Sequence, residues 1–362
     1  MNDVAPFPVG QQAATMSESE PNENHAPNWT RWITFGGIAI AAVALTLTIW
    51  LVGARTLWQQ LATIGPGFAV ILLIEAVVTL CDSAALSGFL GQQGRRPSYW
   101  AVVRAQVTGR AVNAVTPLGS LGEAAKATAL MTATSSQRAI AAVIRYNLAS
   151  AGVKLTTIGI GAPLCGIWLD VPSGLRITLF VGGGTAALIV LVGMWVISHG
   201  LLATLVAFVR GTRIISPTRA KAWRQKLTPL DKQLQPPKTG PRYARWYPTA
   251  WIILSRALSI ASAWCVLAFS GHIAGVGTMA AVATAGQMIG TVATLVPMGL
   301  GIGEGGNAAL FAALGEPASV GVVMVLGGRA TTLVYAAVGL VLLLTASAAE
   351  SVRKISPKRS RA

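Results

Sequence analysis

Two glutamates stand in matching surroundings. Glu123 lies in "TPLGSLGEAAKATAL", Thr116 to Leu130, and Glu304 in "VPMGLGIGEGGNAALFAAL", Val296 to Leu314. Each follows a proline and several glycines, and each opens a run of small, helix-compatible residues. Glycine permits unusual backbone angles, and proline breaks a preceding helix. A helix that begins at such a break presents unpaired amides and a partial positive charge. That end can receive an anion such as a phosphate, and it also stabilises a carboxylate in the first turn. Two readings stand. The glutamates cap helices, or they line a polar cavity and meet a cationic or proton-carrying partner.

Other polar residues sit in equally apolar surroundings. Arg104 and Arg110 occur in "AVVRAQVTGRAVN", with Asn113 close to the first glycine turn. Helical spacing puts Arg110 and Asn113 near one face, where they could hold phosphate oxygens, while Arg104 could snorkel. Lys126 follows Glu123 by three residues and is expected to pair with it. Arg329 lies deep in "VVMVLGGRATTLVY". A lone arginine there costs about 2.5–3.5 kcal/mol on insertion scales unless paired or wetted, and Glu304 is its natural partner. Glu75 and Asp82 share a stripe seven residues apart, and Arg145, Lys154 and Arg256 are the cations open to them.

The elements that carry these residues are long and apolar. The chain has 362 residues, 53% hydrophobic and 11% charged, where a soluble domain carries about a quarter charged. Runs such as Trp32–Gly53, Ile64–Leu90, Leu175–Ser198, Pro248–Ser270 and Ser319–Ser347 have the roughly 20 residues that cross a bilayer core. The net charge of +16 does not point to nucleic acid. It collects in the segment Arg210–Arg245 and in the tail "SVRKISPKRSRA", as in cytoplasmic loops of membrane proteins. Cys81, Cys165 and Cys265 have no paired spacing and His25, His199 and His272 are scattered, so no disulfide framework, metal site or cofactor is expected. Residues 1–30 lack the pattern of a signal peptide and read as a disordered tail.

Charge then predicts topology. Both termini and the basic loop at 210–246 should be cytoplasmic. For this parity to hold, Tyr99–Met131 and Val276–Glu316 must each enter the membrane and return, turning at "TPLGSLG" and "VPMGLG". The predicted fold is an all-α polytopic membrane protein of about six full spans and two re-entrant helical hairpins. It forms two inverted repeats, about 31–169 and 175–347, within a domain at 31–347, followed by a basic tail at 348–362. Inverted repeats with interrupted helices near the midplane mark secondary transporters, and irregular backbone at that depth needs protein or a watery cavity around it.

The segments "GRAVNAVTPLGSLGEAAKATAL", "LVPMGLGIGEGGNAALFAALG" and "GGRATTLVYAAVGL" resemble the lysylphosphatidylglycerol synthase transmembrane-region family, a flippase-like membrane domain. Asn113, Pro117, Gly122 and Glu123 carry the first motif, and Pro297, Gly299, Gly301 and Glu304 the second, with Arg329 and Tyr335 in the last span. The chain departs from the family pattern in two places. No basic residue stands between Pro117 and Gly122, and Ile144–Arg145 replaces a Glu-Arg pair. The resemblance covers most of Trp32–Ser347 and implies movement of a lipid or its headgroup between leaflets of a bacterial cytoplasmic membrane. It implies no enzymatic activity, because aminoacyl transfer belongs to a separate soluble domain of longer members. The implied headgroup site takes Arg110, Asn113, Thr116, Pro117, Gly119, Gly122, Glu123 and Lys126 from the first motif. From the second it takes Pro297, Gly299, Gly301, Glu304 and Arg329. The expected partner is a phospholipid or another amphiphile, with lipid-synthesis enzymes and a further copy of the chain left open. Two other functions compete with translocation: a membrane-embedded transferase on a lipid-linked substrate, and a non-transporting member of a lipid-synthesis complex.

Overall fold

A computed structural model describes residues 62–91, 97–115, 121–199, 242–294, 299 and 301–355. Thr116, Pro117, Gly119 and Pro297 lie outside them, as do the expected first span, the N-terminal tail and most of the basic loop. The described residues are helical throughout, with no strand among them. We number the helices α1 Gly67–Leu90, α2 Tyr99–Val115, α3 Leu121–Met131, α4 Ser136–Trp168, α5 Ser173–His199 and α6 Arg242–Phe269. Then come α7 Val276–Ala281, a π turn at Val282–Gly286, α8 Gln287–Ala293, α9 Ile302–Ala313 and α10 Ala318–Ile355.

Four of the apolar runs read from the sequence are present in α1, α5, α6 and α10, and α4 is a further span. Each contains a stretch long and apolar enough to cross a membrane. Val276–Ala293 is a sixth such stretch, made of α7, the π turn and α8. Large apolar side chains such as Leu73, Ile160, Val181, Leu188 and Leu191 are exposed on the outside of the bundle. That surface suits hydrocarbon, and the protein is a multi-pass α-helical membrane protein. The helix α10 continues well past Ser347, so the basic C-terminal segment begins as helix.

Small residues let the helices approach, as is usual where lipid removes the hydrophobic drive. The helices α1 and α6 run antiparallel, with Gly67 against the Phe269 ring and Gly88 against Pro248. In α2 and α3, Gly109 faces Lys126, and Gly122 faces Gly109 and Asn113, so these two are also antiparallel.

Two apolar clusters close the ends of the bundle. One gathers Leu86 and Leu90 of α1, Val102 of α2, Leu130 of α3 and Ala139, Ala142 and Val143 of α4. Arg138 reinforces it by donating to the Leu90 carbonyl at 2.7 Å. The start of α2 and the end of α3 therefore share one end of the bundle. The other cluster gathers Leu267 of α6, Val282, Phe311 of α9 and Val320 of α10, with Met279 against it. Here the start of α7 and the end of α9 come together. The far end of α4, Ile158 to Cys165, packs against Ala281, Ala285 and Leu310. Thus α4 runs from the base of the α2–α3 pair to the base of the second pair.

Candidate functional site

A cavity of about 430 Å³ opens where α1, α2, α6 and α10 meet. Its polar wall includes Glu75, Arg110, Asn113, Ser259, Thr331 and Tyr335. Arg110 is its central cation. It donates to Glu75 Oε2 at 2.9 Å and to the Thr79 hydroxyl. Its guanidinium also lies over the Tyr335 ring, 5.3 Å from the centroid. Tyr335 is held in turn by donation to the Leu72 carbonyl at 3.1 Å. Arginine's planar fork suits this combination of carboxylate and aromatic face.

Asn113 joins the cavity to the α3 helix start. Its Oδ1 accepts from the Gly122 amide at 2.7 Å, and its Nδ2 donates to Glu123 Oε1 at 3.2 Å. Asn113 is therefore the group that satisfies the exposed amide, an N-cap supplied from another helix. Among the described residues, Glu123 is met by side chains from three directions. It accepts from Lys126 Nζ at 2.9 Å and from Asn147 Nδ2 at 2.7 Å. Lys126 is buried and lies over the Tyr146 ring at 5.2 Å. Asn113, Lys126 and Asn147 thus place three donors around one carboxylate.

Glu304 does cap its helix. Its Oε2 accepts from the Gly301 amide at 2.9 Å, the carboxylate half of a capping box. Arg329 donates to Glu304 Oε1, the pairing expected from the sequence. Gly299 and Gly301 have φ of 63° and 80°, the left-handed backbone that glycine adopts without a Cβ penalty.

Among the described residues, the cavity wall takes in Arg110 and Asn113 of the predicted set. Glu123, Lys126 and Gly122 stand behind Asn113. Glu304 pairs with Arg329, which is next in sequence to Gly328 on the wall. Arg104 is exposed, as snorkelling requires. Arg110, read from sequence as free for phosphate, is in contact with Glu75. Asp82 pairs with Arg256, one of the three cations left open to it, across α1 and α6.

The sequence reading missed Asn147. It reaches Glu123 from 24 positions downstream, as Arg329 reaches Glu304 from 25. These offsets, one residue apart, were the available signal. The uncharged amide at one of the two places concealed it.

These features define a multi-pass membrane protein with a charged internal cavity. The chain belongs to the lysylphosphatidylglycerol synthase transmembrane-region family, whose model matches residues 34–339. No curated protein and no solved structure gives a match.

Proposed function

We propose that the protein is a lipid translocator of a bacterial cytoplasmic membrane, carrying a polar or phosphate-bearing headgroup through the cavity, and that it is not an enzyme. One observation carries this reading: a polar cavity with an arginine at its centre, walled by α1 and α2 from one half of the chain and α6 and α10 from the other. A charged chamber inside a helical membrane bundle is costly and is a functional feature by default. Arg110 could take a phosphate oxygen in place of Glu75, with Thr79 and Asn113 beside it.

The inverted-repeat plan supports the same reading. The pairs α2–α3 and α7/α8–α9 have their bases at opposite ends of the bundle, joined by α4. We read both pairs as re-entrant, and Val276–Ala293 as a limb rather than a crossing. Both termini are then cytoplasmic. Single cysteines at Thr134 and Glu316, near the two bases, should label with an impermeant maleimide from opposite faces. Labelling from the same face would remove the inverted plan.

The function is tested in vesicles carrying acyl-labelled phospholipids of several headgroups, by following movement between leaflets. Rates equal to those of protein-free vesicles would end the proposal. The Glu75→Gln/Arg110→Gln double variant keeps the cavity neutral and removes its cation. Losing a charge-assisted contact of about 1.5–3 kcal/mol should slow movement about ten- to a hundredfold. A transferase would instead convert the labelled lipid, which chromatography of the same vesicles would reveal.

A further inference from the structure

The cavity wall offers a ligand more acceptors than donors. A carbonyl can only accept, so a hydroxyl that reaches one has used its hydrogen. Ser259 Oγ donates to the Ser255 carbonyl at 3.0 Å, and the Tyr335 hydroxyl to that of Leu72 at 3.1 Å. Thr331 and Thr332 donate to the carbonyls of Gly327 and Gly328, at 3.0 and 2.9 Å. All four residues line the cavity, and lone pairs are what their oxygens have left. Glu75 adds a carboxylate oxygen. Its Oε2 accepts from Arg110, and its Oε1 takes no hydrogen bond from the described residues. On the donor side stand Arg110, the one amide hydrogen that Asn113 does not give to Glu123, and Ser262, whose hydroxyl can turn either way.

The charge on the wall is balanced. Among the described residues that line it, Glu75 and Arg110 alone are charged. Their side chains are 14% and 31% exposed, so a ligand can reach both. The charges behind Asn113 and Gly328 are paired too, Glu123 with Lys126 and Glu304 with Arg329. Asp82, Arg256 and Lys154 do not line the cavity. A headgroup with a single charge would draw away one member of the Glu75–Arg110 pair and strand the other where the dielectric is low. A headgroup carrying both signs exchanges one ion pair for two.

We propose that the cavity selects a zwitterionic headgroup, one primary ammonium and one phosphate, with the ammonium on Glu75 and the phosphate on Arg110. This rests on the translocation reading and names the substrate class of the same site. The ammonium brings three N–H donors to Glu75 and to the hydroxyl oxygens of α6 and α10, where donors are scarce. The phosphate takes the guanidinium fork that turns from Glu75, a planar match that can be bidentate. Other headgroups meet only part of this wall. A quaternary ammonium has no N–H to give. A glycerol phosphate brings an anion alone, and an uncharged sugar leaves the ion pair closed. The class that fits is an amphiphile of the phosphoethanolamine type.

The test measures binding apart from transport. Isothermal titration calorimetry of the full chain in detergent uses short-chain diacyl lipids that differ only in headgroup: phosphatidylethanolamine, phosphatidylcholine, phosphatidylglycerol and a glucosyl diacylglycerol. Wild type should bind the ethanolamine lipid about tenfold more tightly than any other, the size of one charge-assisted contact. Glu75→Gln leaves Arg110 without its carboxylate and should reverse the order, so that phosphatidylglycerol binds most tightly. A carboxylate that only props Arg110 would weaken all the lipids alike. Equal binding of the four by wild type, no binding of any, or an order led by another headgroup overturns the proposal. So does an unchanged order in Glu75→Gln. If that variant does not fold, the wild-type order decides alone. Free phosphoethanolamine should bind at least about tenfold more weakly than the lipid that carries it, and equal binding would overturn the assignment to an amphiphile. If the order and its reversal hold while no labelled lipid moves in vesicles, the headgroup site stands and the translocation reading falls.

Discussion

Arg329→Met should destabilise the protein by about 3–5 kcal/mol, the range for removing one partner of a buried ion pair. Arg329 and Glu304 are both mostly enclosed, with side chains 13% and 22% exposed. Methionine would leave the Glu304 carboxylate with the Gly301 amide and without its cation. The α9 helix start, held in part through that carboxylate, should loosen with it. The measurement is thermal unfolding of purified protein in detergent. Glu304→Gln/Arg329→Met should recover much of the loss, because the stranded charge is gone, and a double-mutant cycle would give the coupling. Equal losses in the single and double variants would mean that the pair contributes little beyond packing.

Gly122→Val should be comparably damaging, about 2–5 kcal/mol from overpacking and a lost buried hydrogen bond together. A Cβ built at Gly122 collides with the Gly109 carbonyl oxygen and the Asn113 side chain. Backbone cannot step aside as a flexible side-chain end can, so α2 and α3 must separate. Separation breaks the Gly122 amide bond to Asn113, and with it the contact that ties Asn113 to Glu123. Gly122→Ala should lie between wild type and valine. Gly152→Ala on α4 is the control, since its Cβ meets nothing within 4 Å. There the helix should gain up to about 1 kcal/mol. If Gly122→Val unfolds at the wild-type temperature, the close α2–α3 approach is not a determinant of stability.

Much of the fold was legible because hydropathy reports it directly. Four of the apolar runs read from the sequence lie in α1, α5, α6 and α10, although α6 starts six residues earlier and α10 ends eight residues later than the runs do. The Glu123–Lys126 and Glu304–Arg329 pairs were also legible, the first from helical spacing and the second from the cost of an isolated charge in lipid. The partners of Glu75 and Asp82 were not. Both lie on one stripe of α1, yet α2 approaches at Glu75 and Thr79 while α6 crosses at Asp82. Which cation each meets depends on where those helices cross, and spacing along a single helix carries no such information. The same limit explains Arg110, whose setting suggested an open anion site although Glu75 reaches it first. Asn113 was expected beside phosphate, but a short antiparallel pair brings the Gly122 amide to its Oδ1 before any ligand arrives. Asn147 was missed because a neutral amide in lipid does not demand a partner as a charge does, so only its spacing from Glu123 pointed to it.

A π turn at Val282–Gly286 interrupts the stretch Val276–Ala293. Thr284 donates to the carbonyls of both Ala280 and Ala281, at 2.8 and 3.3 Å, as expected where a surplus residue displaces the regular ladder. Among the described residues, α2, which the proposed inverted plan sets against that stretch, is one uninterrupted α-helix. A surplus residue lowers the resistance of a rod to bending at that point. On the inverted plan proposed above, the two limbs would therefore differ in compliance: the one carrying Thr284 would flex while its counterpart stays straight. Alternation between the faces of the membrane would then be lopsided in its mechanics, whatever symmetry the chain retains in its plan.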